Sequence, residues 1–178
     1  MSYKELVLGS GYSDTIKKQL FLDDKQSFEN LVTLDINPDA NPTVVWDLNN
    51  LPLPFDDEEF DEIHAYDVLE HIGRQGDVTR FFEEFGEYWR ILKPDGLLFA
   101  TVPSGMKAAF SDPGHTRVIN EITILFLSQE EYKDQVGRTK MTDYRNVWKK
   151  DFQVVAVRRN DYEHNLSFIL RKVDVPDL

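Results

Sequence analysis

Short apolar runs separated by polar stretches mark this chain, and several of the runs end on a glycine or an acid. Leu6-Val7-Leu8 stops at Gly9-Ser10-Gly11, Leu31-Val32-Thr33-Leu34 ends in Asp35, Thr43-Val44-Val45-Trp46 ends in Asp47, and residues 61–66 are followed by Asp67. Runs of this kind read as strands buried on both faces, although for Leu6-Val7-Leu8 the periodicity alone also allows a buried helical segment. Residues 14–20 carry helix formers. Ile16, Leu20 and Phe21 fit one face of a short helix that Asp23 and Asp24 break, and its first N–H groups would face an anionic or polar ligand. Residues 51–60 hold too many prolines for a helix or a central strand, so they form a loop whose acid cluster reads as a solvated turn rather than a metal site.

Residues 67–72 start a short helix, and Asp77 caps the clearest one. Val78, Phe81, Phe82, Phe85, Tyr88, Trp89 and Leu92 share a face at helical spacing, with Pro94 and Gly96 as stop signals. That aromatic stripe belongs to the core. Residues 97–102 form a fifth strand stopped by Pro103. Asn120 or Glu121 opens a short helix reaching Leu127, and Ser128 with Glu131 has the spacing of a capping box that starts another. Residues 152–157 and 166–170 pair as a terminal antiparallel hairpin. Strands alternating with helical segments imply an α/β fold, with a mostly parallel central sheet covered on both faces and an antiparallel edge.

The length of 178 residues suits one domain with its own core. A net charge of −12 makes a phosphate backbone a poor default partner, although Arg138, Lys140, Arg145, Lys149, Lys150, Arg158 and Arg159 form a basic strip that leaves nucleic acid open. The absence of cysteine removes disulfides, thiolate metal sites and a cysteine nucleophile. There is neither a signal-peptide core nor an apolar run of spanning length, so the expectation is a soluble cytoplasmic protein without a membrane partner.

In an open parallel sheet, ligands bind beyond the carboxyl ends of the strands where strand order reverses. Gly9 to Gly11, Asp35, Asp47, Tyr66 and Asp67 all lie at expected strand ends and would converge on one cleft. Each acid alone is more often a turn residue. Their joint placement points to a ligand, with the acid after the second strand suited to ribose hydroxyls and the one after the third to an adenine amino group.

In LVLGSG, LVTLDINP, VVWDLNNLPLPF, FDEIHAYDVLEHI and YWRILKPDGLLFATVPS the chain resembles the class I S-adenosylmethionine-dependent methyltransferases, with the nearest likeness to small phage-type members of the group labelled methyltransferase type 11. The resemblance spans residues 4–104 and extends more weakly through 112–117. It implies a Rossmann-like fold and S-adenosylmethionine as cofactor. Gly9, Ser10 and Gly11 would pass beneath the methionine part, Asp35 would hold the ribose, and Ile36, with Asn37 beside it, would flank the adenine. Asp47 and Leu48 would meet the adenine edge, with Tyr66 and Asp67 near the methionine end. On this reading residues 1–178 are a single domain. Residues 1–103 are its cofactor-binding half, 104–150 a substrate or lid insertion, and 151–178 the hairpin; if the protein is phage-encoded, it would work in the host cytoplasm.

Methyl transfer from a sulfonium is an in-line displacement that needs alignment and exclusion of water, so no metal is expected. His115 is the first candidate for a base, with Arg117 and Tyr132 as substrate-binding candidates; the alternative for His115 and Arg117 is that both anchor their loop. His71 reads as a structural hydrogen-bonding histidine. Without cysteine the covalent route to cytosine C5 is closed, and AYDVLEH lacks the Asp/Asn-Pro-Pro-aromatic signature of DNA amino methylation. An O or N nucleophile of a small molecule or modified metabolite is therefore the expected acceptor. Two other classes remain. A nicotinamide oxidoreductase would need G-x-G-x-x-G where this chain has Gly9-Ser10-Gly11-Tyr12-Ser13-Asp14. A catalytically weak or inactive protein-binding module on the same fold fits the missing third glycine and a chain that begins at the first strand. The sequence does not specify the oligomeric state.

Overall fold

The computed structural model describes residues 2–12, 16–22, 24–160 and 165–174, apart from the side chain of residue 106. Four parallel-paired strands come first: β1 (Glu5–Leu8), β2 (Leu31–Asp35), β3 (Val44–Val45) and β4 (Phe60–Tyr66). Helix α1 (Val78–Ile91) leads into β5 (Leu92–Pro103), and the short helices α2 (Met106–Ala109), α3 (Glu121–Leu125) and α4 (Gln129–Gln135) precede the hairpin β6 (Asp151–Asn160) and β7 (Asn165–Val173). The sheet order is β3-β2-β1-β4-β5-β7-β6, parallel from β3 to β5 and antiparallel at β7 and β6. Strand order therefore reverses between β1 and β4, where a crevice opens at the carboxyl ends.

Side-chain alternation along the strands makes the two sheet faces chemically different. Leu6, Leu8, Leu34, Ile63, Ala65, Leu98, Ala100 and Val102 share one apolar core with Phe82, Phe85, Tyr88 and Ile91 of α1, Ile124 of α3 and Tyr132 of α4. Glu5, Thr33, Glu62, His64 and Thr101 alternate with these residues and are buried on the other side. Lys18 lies between Glu5 and Glu62, at 2.5 Å and 2.6 Å, while His64 stacks on Phe99 and meets Phe28 edge-on. The expectation of helices on both faces is corrected here: among the described residues no helix lies between β1 and β2. Residues 16–20 form no helix or strand, and their backbone serves that polar face. Lys18 reaches inward, and the Gln19 and Leu20 N–H groups donate to the Tyr66 hydroxyl at 3.2 and 3.3 Å. Residues 13–15 and 23, where the sequence places the start and end of that helix, lie outside the described residues.

Helix α1 forms as its pattern dictates, with the Asp77 carboxylate accepting from Arg80 N at 3.0 Å. Its end comes at Ile91, before Pro94 and Gly96. Those two residues mark a bulge within β5. Phe60 pairs with Leu92 and Glu62 with Leu97, so the residues between loop out, and Asp95 adopts φ +62. A Cβ at Gly96 would stand 2.8 Å from the Lys93 carbonyl oxygen, so only glycine fits. The 67–72 segment is a single 3-10 turn at Leu69–His71 rather than an α-helix. Ser128 caps α4 as its spacing suggests, accepting from Glu131 N at 3.4 Å, while the reciprocal capping box belongs to Asn120 and Thr123 on α3. Trp89 Nε1 donates to Asp151 O and Val173 O, tying α1 to the hairpin. Among the described residues no helix is long and apolar enough to cross a membrane.

Candidate active site

Parallel register carries the ends of β1, β2 and β4 to one edge of the sheet, with Leu8 opposite both Leu34 and Ala65. Ser10 N then donates to Leu34 O at 3.1 Å, and Trp46 N to Asp35 O at 3.0 Å. Gly9 turns the chain at φ +61, and a Cβ there would lie 2.4 Å from a Val68 methyl, so glycine is required twice over. Asp35 fastens this loop: its Oδ2 accepts from Gly11 N at 2.7 Å and its Oδ1 from Asn37 N at 2.8 Å. A carboxylate has about four acceptor positions, so roughly two remain for a ligand. The Asp47 Oδ1 accepts from the backbone and side-chain nitrogens of Asn49, and Asn49 Oδ1 from Gly73 N.

These residues enclose a cavity of ≈ 430 Å³ bordered by Gly9, Gly11, Leu34, Asp35, Ile36, Trp46, Asp47, Leu48, Asn49, Asp67, Val68, His71 and Ile72. That volume falls in the range of small-molecule sites. Seven of the cofactor candidates border it: Gly9, Gly11, Asp35, Ile36, Asp47, Leu48 and Asp67. Ser10 and Asn37 sit alongside, with Asn37 Oδ1 capping the 3-10 turn after β2. Tyr66 does not border it. Its side chain lies on the polar face of the sheet, where the hydroxyl is 2.7 Å from His64 Nδ1. Residues two apart on a strand share a face, so Tyr66 lies with His64 on the polar side and away from the cavity. Trp46, Asn49, Val68 and His71 are lining residues that the strand-end rule alone does not single out.

Beside the cavity lies a titratable group of four. Burial raises Asp67 above the usual carboxylate range, against the pull of His115 and His71. Burial also pushes Glu70 up to about 7, aided by the nearby Asp67 charge and opposed by His115 and Arg117. The His71 and His115 rings meet edge-on at 4.8 Å between centroids. His115 Nδ1 is 3.0 Å from Ala109 O, and its Nε2 is 3.8 Å from Glu70 Oε1. His115 therefore stands one ring behind His71 and does not border the cavity.

The two substrate-binding candidates are placed otherwise than expected. Arg117 is buried, with Nε donating to Leu69 O at 2.8 Å and Nη2 to Glu84 Oε1 at 2.7 Å. It anchors its segment to α1, and it borders a separate cavity of ≈ 220 Å³ that Phe81, Phe82, Phe126 and Tyr144 also line. Tyr132 is fully buried in the core, its hydroxyl donating to Phe126 O at 2.9 Å. Neither borders the strand-end cavity.

The fold and the strand-end cleft define a Rossmann-like α/β domain built to hold a nucleoside-bearing ligand. The methyltransferase domain family matches residues 8–100, more than half of the chain, and the chain belongs to that family. Among solved structures, the N-methyltransferase NodS from Bradyrhizobium japonicum WM9 is similar at TM-score 0.56 and 15% identity, covering 97% of this chain and 86% of that one. An S-adenosylmethionine-dependent methyltransferase from Archaeoglobus fulgidus is similar at TM-score 0.58 and 15% identity, covering 96% and 86%. One from Aquifex aeolicus is similar at 0.55 and 14%, covering 96% and 82%. At these identities the likeness is one of fold. No curated protein matches the chain in sequence.

Proposed function

We propose that this protein is an S-adenosylmethionine-dependent methyltransferase acting on an O or N nucleophile of a small molecule or modified metabolite. The observation that carries the reading is the strand-end cavity, in which two glycines at positive φ, Asp35 and Asp47 stand around ≈ 430 Å³ of space. The site fits the cofactor on its own terms. A Cβ added at Gly11 would meet nothing within 4 Å, so the loop is open to a ligand, and Asp35 retains acceptor capacity after holding Gly11 N and Asn37 N. NodS has also been crystallised with S-adenosylhomocysteine; that complex is similar to this chain at TM-score 0.55 and 13% identity.

When bound, S-adenosylmethionine supplies a methyl group activated by its sulfonium. Asp35 would accept from the ribose hydroxyls, Ile36 and Leu48 would flank the adenine, Asp47 would take its amino group, and Gly9 and Gly11 would admit the methionine portion. The apolar walls from Leu34, Val68 and Ile72 exclude water from the transfer path. Acceptor deprotonation falls to the neighbouring cluster. With His115 Nδ1–H donating to the Ala109 carbonyl, Nε2 is the nitrogen through which the neutral ring would accept a proton.

Thermal unfolding with S-adenosylmethionine, S-adenosylhomocysteine and NAD added separately tests this reading. A ligand at a hundred times its dissociation constant stabilises by about 2.7 kcal/mol, or about 5–10 °C for a domain of this size. A rise with the first two and none with NAD is expected. No rise with either sulfur compound would overturn the cofactor assignment.

A further inference from the structure

Among the described residues, two clusters have ligand types close enough to hold a cation, Glu5–Glu62–His64 and Glu70–His71–His115. They differ in what already fills them. In the first, the Lys18 ammonium sits between Glu5 and Glu62, Tyr3 donates to Glu62 Oε1 at 2.5 Å, and His64 Nε2 is 3.0 Å from Glu62 Oε2. That cluster is satisfied by the protein's own groups.

The second is not. Glu70 is 2% exposed, and neither of its carboxylate oxygens has a hydrogen-bond partner among the described residues. The nearby guanidinium of Arg117 is committed to Glu84 and Leu69 O. A buried carboxylate without donors is costly, and a cation removes that cost. Both rings are also held as ligating imidazoles are held. His71 Nδ1 is 3.0 Å from Gly114 O, and His115 Nδ1 is 3.0 Å from Ala109 O. A carbonyl only accepts, so each Nδ1 carries a proton, which leaves Nε2 as the ligating atom of the neutral ring.

We propose that Glu70, His71 and His115 bind a divalent first-row transition-metal cation beside the strand-end cavity. One ligating atom from each lies within 4.8 Å of the others, and His115 Nε2 is 3.8 Å from Glu70 Oε1. Two ligands of a tetrahedral zinc stand about 3.4 Å apart, so the His115–Glu70 pair must close by about 0.4 Å and the widest pair by up to about 1.4 Å, within reach of a side-chain rotation. Two imidazoles and one carboxylate suit Zn²⁺, Mn²⁺, Fe²⁺ or Co²⁺ better than Mg²⁺ or Ca²⁺, which favour all-oxygen shells. His71 belongs to both the cluster and the cavity wall. Three protein ligands leave open positions for an oxygen-bearing acceptor. This role for the cation rests on the methyltransferase reading; the binding does not. With the cation bound, the His115 Nε2 lone pair is taken, so the ring acts through the metal rather than as a free base.

The test uses the full chain with Co²⁺ as probe, followed by its visible d–d absorption and by calorimetry, with S-adenosylhomocysteine binding measured in parallel. Saturation at about one equivalent of Co²⁺ is expected, with Mg²⁺ binding much more weakly. Glu70→Gln and His115→Gln should each weaken Co²⁺ by at least about 10–100-fold, the loss typical of removing even an outer-shell partner. If near-UV circular dichroism shows that either buried variant is misfolded, the exposed His71→Gln variant decides. Absence of Co²⁺ binding to the wild type, or unchanged affinity in the folded variants, overturns the site. S-adenosylhomocysteine binding without Co²⁺ binding sinks the metal alone. Co²⁺ binding without it keeps the metal site and removes the cofactor reading.

Discussion

Asp35 combines two tasks that a single carboxylate manages only because it has two oxygens. Each oxygen accepts one backbone N–H, from Gly11 and from Asn37, which sets the loop after β1 against the end of β2. The remaining lone pairs face outward to a ligand. An amide in its place would turn an NH₂ group onto one of those N–H donors. Asp35→Asn should therefore weaken S-adenosylhomocysteine by about 10–100-fold, the equivalent of the 1.5–3 kcal/mol carried by hydrogen bonds to a charged group. Global stability should change little, because the freed N–H groups are exposed to water. Calorimetric titration checks the affinity; an unchanged dissociation constant would remove Asp35 from the ribose role.

Among the elements, α1 holds the site by its contacts with the irregular segment that follows β5. Glu84, nine-tenths and more buried on α1, receives Tyr88 Oη at 2.9 Å and Arg117 Nη2 at 2.7 Å, while Arg117 also reaches Leu69 O in the 3-10 turn that carries Glu70 and His71. One ion pair thus fixes three pieces of chain. Removing one partner strands a buried charge, so Arg117→Ala should cost about 3–5 kcal/mol. The double variant Glu84→Leu with Arg117→Met should lose much less than the sum of the single changes, because no unpaired charge remains. Urea unfolding of the four proteins in the cycle measures the coupling; additive losses would show that the pair is not a unit.

For the whole molecule, the polar face of the sheet sets the acid limit. Burial acts to raise Glu62, but hydrogen bonds from His64, Lys18 and Tyr3 outweigh it and hold the carboxyl well below the usual carboxylate range. A group depressed in the folded state contributes stability above its unfolded value, 4.5, and loses it as pH falls toward the folded value. The urea midpoint should therefore drop as pH falls below about 4.5, and Glu62→Gln should flatten that drop while lowering stability at neutral pH. Parallel curves for the wild type and the variant would show that this face does not control acid unfolding.

Local pattern was enough to place β1, β2, β4 and α1, because burial of a strand or helix face depends on period and a cap such as Asp77 is written in adjacent residues. It also placed Gly9, Asp35, Asp47 and Asp67 at strand ends, since parallel strands bring their carboxyl ends together whatever the loops contain. It did not reveal that residues 16–20 form no helix, because Lys18 is drawn in by Glu5 and Glu62, which are distant in sequence. Nor did it separate Tyr66, the last residue of β4 with its hydroxyl at His64, from Asp67, which leaves the strand at φ +49 and borders the cavity. Arg117 and Tyr132 carry the right chemistry for a substrate, and only three-dimensional packing showed Arg117 Nε and Nη2 and the Tyr132 hydroxyl engaged within the protein, away from the strand-end cavity. The sequence by itself determined the sheet, its acids and the family they belong to. The tertiary structure alone decided which polar groups are satisfied and which, like the Glu70 carboxylate beside His71 and His115, are left without a hydrogen-bond partner among the described residues, because hydrogen-bond satisfaction is a property of contacts between distant segments.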